Sequence, residues 1–171
     1  MIEERPKYTL IFAFDPEGSV LLRKKTHPTV QEGAWNGLGG LYQADLDFTL
    51  FDNGDGYGPF RMCARRKFTE EAAAEVDDIS RFKGPIVVVY PEADLLVFWL
   101  DLTEEEAAVV AAIPVDDDLP EEQHEEFNAW CTVDDVNDMV NSDWGNGQLV
   151  ESTWEYLELI KSFRYRWEET P

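Results

Sequence analysis

Long apolar runs are missing from this sequence, and positive charge is scarce. Uncharged apolar stretches such as Leu95–Leu100 fall far short of the roughly 20 residues a bilayer-spanning helix needs, so no membrane partner is expected. Lysine and arginine total 14 against 36 aspartates and glutamates, a net charge of −22. That imbalance argues against a nucleic-acid backbone or an anionic membrane as partner, because both carry the same sign. Cysteine is nearly absent. Cys63 and Cys131 stand in no metal-like spacing and are expected to be reduced thiols of a cytoplasmic protein. Met1–Pro6 lacks the basic-then-apolar order of a signal peptide, so none is expected.

What is present points to a folded core. With 44% hydrophobic and 13% aromatic residues the chain is too apolar for disorder, and 171 residues suffice for a domain without staples. A single domain over residues 1–171 is expected, with an inserted acidic loop at about 44–58. Tyr8–Phe14 and Ser19–Arg23 read as a hairpin around the turn Asp15-Pro16-Glu17-Gly18. Gly39–Tyr42, Pro85–Tyr90, Leu95–Leu102 and Phe127–Thr132 read as further strands. Pro59 is placed to start a helix running to about Val76, with Phe60, Cys63, Ala64 and Phe68 as its buried stripe. Thr103 caps a short helix, another ends near Val140, and Leu149–Phe163 forms an amphipathic last helix. Strands mixed with helices in this order predict an α+β fold, a mixed sheet between helices in an α/β/α sandwich.

The chemistry gathers in Trp35–Ala74. Trp35-Asn36-Gly37-Leu38-Gly39-Gly40 supplies a bend where backbone can approach a ligand closely. Downstream, Cys63-Ala64-Arg65-Arg66-Lys67-Phe68-Thr69-Glu70-Glu71 puts Lys67 and Glu71, or Arg66 and Glu70, four apart on one helical face. A glycine turn followed by a helix with paired carboxylates could cradle a metal-bound phosphate, since carboxylates suit Mg²⁺ and Mg²⁺ bridges phosphate oxygens. Arg61, Arg65, Arg66 and Lys67 also make a local basic patch in an acidic chain. Between the two motifs, Asp52-Asn53-Gly54-Asp55-Gly56 reads as a turn tip rather than a calcium loop, because the downstream glutamate is missing.

This stretch resembles the Nudix box, which runs Gly, five residues, Glu, seven residues, Arg-Glu, two residues, Glu-Glu, one residue, Gly. Arg66, Glu70 and Glu71 stand where that pattern wants them. Lys67 replaces the glutamate of Arg-Glu, Ala73 replaces the last glycine, and Gly58 lies where the first glutamate should. The resemblance implies a Nudix fold and Mg²⁺- or Mn²⁺-dependent cleavage of a nucleoside di- or triphosphate pyrophosphate bond, MutT-like. On that reading Glu70, Glu71 and Arg66 are catalytic, and a small-molecule nucleotide is the partner. A homodimer is left open.

The departures keep a second version open. In the family the glutamate replaced by Lys67 ligates metal, and Lys67 could pair with Glu71 and compete for it. Either Asp45, Asp47 or Glu125 completes a rearranged metal site, or catalysis is lost and the basic patch holds phosphate directly, leaving a nucleotide-binding or protein-interaction module.

Tyr8-Thr9-Leu10, Trp35–Gly40 and Ala64-Arg65-Arg66 are most similar to the eukaryotic-type oxidised purine nucleoside triphosphate hydrolases. That likeness implies a base contact for Asn36, a third metal ligand in Glu125 beside Glu70 and Glu71, and a purine-edge contact for Glu151. Gly39, Gly40 and Lys67 would line the phosphate site. Without the resemblance, Asn36 can simply stabilise its turn. Trp35, Trp130 and Trp154 are expected in the core, and Trp144 is the candidate for a stacking ring.

Overall fold

A computed structural model describes residues 4–24, 34–50, 54–112, 127–140, 150 and 152–168. Its strands are β1 (Lys7–Phe14), β2 (Val20–Lys24), β3 (Trp35–Asn36), β4 (Leu38–Leu41), β5 (Lys83–Val89), β6 (Asp94–Asp101) and β7 (Phe127–Cys131). Its helices are α1 (Gly58–Ala72), α2 (Glu104–Val109), α3 (Val133–Val140) and α4 (Thr153–Glu168).

The strands form one sheet in the order β3-β2-β1-β6-β5, with β4 also pairing β1 and β7 also pairing β2. The β1–β6 pair is parallel and the others are antiparallel. Successive side chains point to opposite faces of a strand, so a strand covered on both faces must be apolar throughout. β1 obeys this. Leu10, Phe12 and Phe14 join one core with Val136, Tyr156, Leu157 and Ile160 of α3 and α4. Ile11 and Ala13 join the other core with Ala64, Phe68 and Ala72 of α1. The expected mixed sheet between helices is therefore present.

One arrangement positions the site. β2 pairs with β1 only at Ala13 and Phe14, while β4 takes the other end of the same edge, Tyr8 to Ile11. The two strands splay apart, and the Trp35–Gly40 run lies in the opening. The strand expected over Gly39–Tyr42 is β4, beginning at Leu38, and Trp35–Asn36 is a further short strand where a bend was expected. Close approach explains its glycines: a methyl on Gly39 would lie 2.0 Å from the Thr9 carbonyl oxygen, and one on Gly37 would lie 2.6 Å from that of Ile11.

Other boundaries shift modestly. α1 stops at Ala72 instead of Val76, because Ala73 adopts a left-handed conformation (φ 53°) and its N–H closes on the Thr69 carbonyl. α4 starts at Thr153, and Leu149 lies outside the described residues. Thr103 caps α2 as expected, in a reciprocal box with Glu106. Both thiols are free and buried. No described helix is long and apolar enough to cross a membrane.

Candidate functional site

Three segments meet at the site: β4, the acidic loop that follows it, and α1. The loop contributes Asp47, which is completely buried although ionisable. Its carboxylate accepts from Arg66 Nε at 2.7 Å and Nη2 at 2.9 Å, and from the Gln43 backbone N–H at 2.8 Å. Arg66 Nη2 also donates to the Leu41 carbonyl oxygen. Of the two aspartates the sequence left open as replacements for the missing acid, Asp47 is the one that meets Arg66. A buried charge needs such a partner, and the planar guanidinium supplies it with two parallel bonds.

The acidic loop is tied to α1 at its far end. Asp55 accepts two bonds from Arg61, at 2.9 and 2.7 Å, and Arg61 reaches on to the carbonyl oxygens of Phe82 and Gly84. These bonds employ the Asp55 carboxylate. Asp52 and Asn53 lie outside the described residues.

On α1 the two glutamates have different surroundings. Glu71 is largely buried, accepts from the Gly39 N–H at 2.9 Å, and lies 3.8 Å from Arg23 Nε. Glu70 is half exposed and takes Lys67 Nζ at 3.0 Å and Arg66 Nη1 at 3.3 Å. The Lys67 hydrogen bond, with help from Arg66 and against slight desolvation, holds the Glu70 carboxyl below its ordinary value. Lys67 thus pairs with Glu70, where the sequence suggested competition for Glu71. The reason is steric and local: the Lys67 stem lies over Gly40, while Glu71 is engaged by Gly39 and Arg23.

That packing makes Gly40 a test of how Lys67 is seated. A methyl there would lie 2.6 Å from Lys67 Cε, a flexible end that can swing aside. Gly40→Ala should therefore fold, with a change in unfolding free energy of less than about 1 kcal/mol, the range of an exposed ion pair. Urea denaturation of the two proteins checks it.

Arg23 and Asn128 were not singled out from the sequence. They are partners across β2 and β7, and Arg23 Nη1 donates to Asn128 Oδ1 at 3.0 Å. Asn128 is buried and donates through Nδ2 to the carbonyl oxygens of Glu71 and Ala111. It thereby ties β7 to the end of α1. No local pattern marks either residue; only the strand register brings them to the helix.

Asn36 lies further along the same opening. Its Oδ1 accepts from the Gly37 N–H at 2.8 Å and from Thr153 Oγ1 at 2.9 Å, and the neighbouring Trp35 carbonyl accepts from the Val150 N–H. The Gly37 bond holds the backbone between β3 and β4, and the Thr153 bond brings the start of α4 beside Asn36. Glu151, Trp144 and Glu125 lie outside the described residues. Of the tryptophans expected in the core, Trp35 is buried, Trp130 half-buried, and Trp154 is 36% exposed.

A bound Mg²⁺ or Mn²⁺ fits the described residues poorly. Such ions want several oxygen ligands with uncompensated negative charge. Among the described residues no three histidine, cysteine or acidic side chains gather as a metal site. Glu70 and Glu71 already face Lys67, Arg66 and Arg23, and an ammonium 3.0 Å from Glu70 Oε2 would repel a dication.

No family model matches the sequence, and no curated protein matches it. Solved structures do match. The chain is similar to the MutT protein from Methanosarcina mazei Go1, at 13% identity over 96% of this chain and 98% of that one, with a TM-score of 0.53. It is also similar to the NUDIX domain of Shewanella oneidensis NrtR, solved in complex with ADP ribose. There the identity is 16% over 96% and 90% of the two chains, with a TM-score of 0.58. Identities this low speak for backbone architecture and not for chemistry. The chain has the fold of the Nudix hydrolases.

Proposed function

We propose that this chain binds a nucleotide-like small molecule through its diphosphate, and that Lys67 supplies there the positive charge that a divalent cation brings in Nudix enzymes. The observation that carries the reading is the Lys67–Glu70 pair at 3.0 Å, with the lysine stem laid over Gly40. Glu70 is half exposed, so its pairing contributes about 1 kcal/mol or less, and a diphosphate with more charge can take over the ammonium. Around it, Arg23 and Arg66 offset Asp47 and Glu71, which makes this region a neutral island in a strongly acidic chain. The Asn36 amide, whose Oδ1 is held by Gly37 and Thr153, keeps its Nδ2 for a base.

Calorimetric titration with ADP-ribose tests this, once in excess EDTA and once with Mg²⁺, beside an assay of phosphate release. The expected result is equal binding in both buffers and no turnover. Binding that appears only with Mg²⁺ would overturn it.

A second reading, Mg²⁺- or Mn²⁺-dependent hydrolysis of a nucleotide acid anhydride, is favoured by one observation. Asp47 restores a buried acid partner to Arg66, so the helix keeps that part of the box despite the insertion. Metal-dependent turnover by the parent, abolished in Glu71→Gln, would establish this reading.

A further inference from the structure

A second concavity lies on the opposite face of the sheet from α1. It has a volume of about 330 Å³ and opens between the β1–β2 turn, the β7–α3 junction and α4. A dry cavity of about 150 Å³ takes one benzene ring, so this one has room for a bicyclic ring. Phe14, Val20, Val136 and Leu157 line it with apolar surface. Trp154, Leu157 and Lys161 come from α4, three and four residues apart, and Phe14, Val20, Cys131, Val136 and Leu157 belong to the core on the face away from α1. The cavity is therefore separate from the diphosphate site and does not depend on how that site is read.

Its polar groups are few. Glu17 and Lys161 are exposed side chains lining it, and neither has an ion-pair partner among the described residues. Cys131 also lines the cavity, but burial pushes its thiol up to about 12, so it adds no charge near neutral pH. One acid and one base beside an apolar interior select the ligand's polar end. A net anion would be repelled by a chain of charge −22 and would leave Glu17 without a partner, and a net cation would leave Lys161 without one. A zwitterion enters with no net electrostatic cost and satisfies both groups.

We propose that this cavity binds a free aromatic amino acid, its bicyclic ring among the apolar residues beside Trp154, its carboxylate on Lys161 and its ammonium on Glu17. The test is calorimetric titration of the full chain with L-tryptophan, beside indole, indole-3-acetate and tryptamine, which share the ring and differ in charge. L-tryptophan should bind tightest. Lys161→Gln and Glu17→Gln should each weaken it about tenfold, the size of one charge-assisted hydrogen bond. Val136→Trp, which fills the cavity, should abolish binding. If Val136→Trp fails to fold, the two exposed rim positions decide alone. Absence of L-tryptophan binding at millimolar concentration, or affinity unchanged in both rim variants, would overturn the proposal, as would tighter binding of indole or either singly charged analogue.

Discussion

Asp47→Ala should lower the free energy of unfolding by about 3 kcal/mol, the lower end of what removal of one partner from a buried ion pair costs. Two bonds to Arg66 and one from the Gln43 N–H are lost together, and the guanidinium is left largely buried beside a void. Arg66 keeps Glu70 and the Leu41 carbonyl, which limits the loss. The carboxyl of Asp47 is subject to opposing influences. Burial raises its pKa, but the Arg66 hydrogen bonds, the Gln43 N–H and the guanidinium charge outweigh burial and hold it below its ordinary value. A group depressed in this way contributes stability that is fully present above its unfolded value, near 4, and is lost as the pH falls through its folded value. Asp47→Asn should therefore fall well below the parent in urea midpoint at pH 7, and the gap should narrow from about pH 4 downward. A gap unchanged at pH 3 would place the effect outside the ion pair.

Lys67→Glu should raise the affinity of this site for divalent ions. The substitution replaces an ammonium with a carboxylate beside Glu70, a change of two charges next to a dication. Unit charges about 4 Å apart interact by about 4 kcal/mol near a protein surface, so a hundredfold gain in Mn²⁺ affinity, about 2.7 kcal/mol, uses only part of what is on offer. Paramagnetic resonance of free Mn²⁺ reads this directly, without substrate and without activity. Equal and tight Mn²⁺ binding by parent and variant would show that Lys67 does not keep the ion out, and the metal-free reading would fall with it.

Both substitutions concern residues whose meaning depended on partners. Lys67 could be seen in the sequence to break the box, yet its choice of Glu70 over Glu71 followed from the backbone N–H of Gly39 and the arrival of Arg23 from β2. Asp45 and Asp47 were equal candidates in the chain. Burial against Arg66, 19 residues away, separated them. Trp154 looked like core by composition, but its place on α4 leaves it lining a cavity.

Local periodicity was enough for most of the scaffold. The apolar run Leu10–Phe14 of β1, a helix with Cys63, Ala64 and Phe68 on one face, and a capping threonine before α2 are each written within a few neighbouring residues, and each was readable. The layering of helices on both sides of a mixed sheet follows from strands that are apolar on both faces. What the chain by itself could not specify was which side chains face one another. Asn128 reaches the last turn of α1 from 57 residues away because β7 pairs with β2 in a register set by the whole sheet. Patterning reports the face a residue takes, which is a property of its neighbours in sequence. Charge pairing and cavities depend on distances between elements, and those are set only when the sheet closes around its two cores.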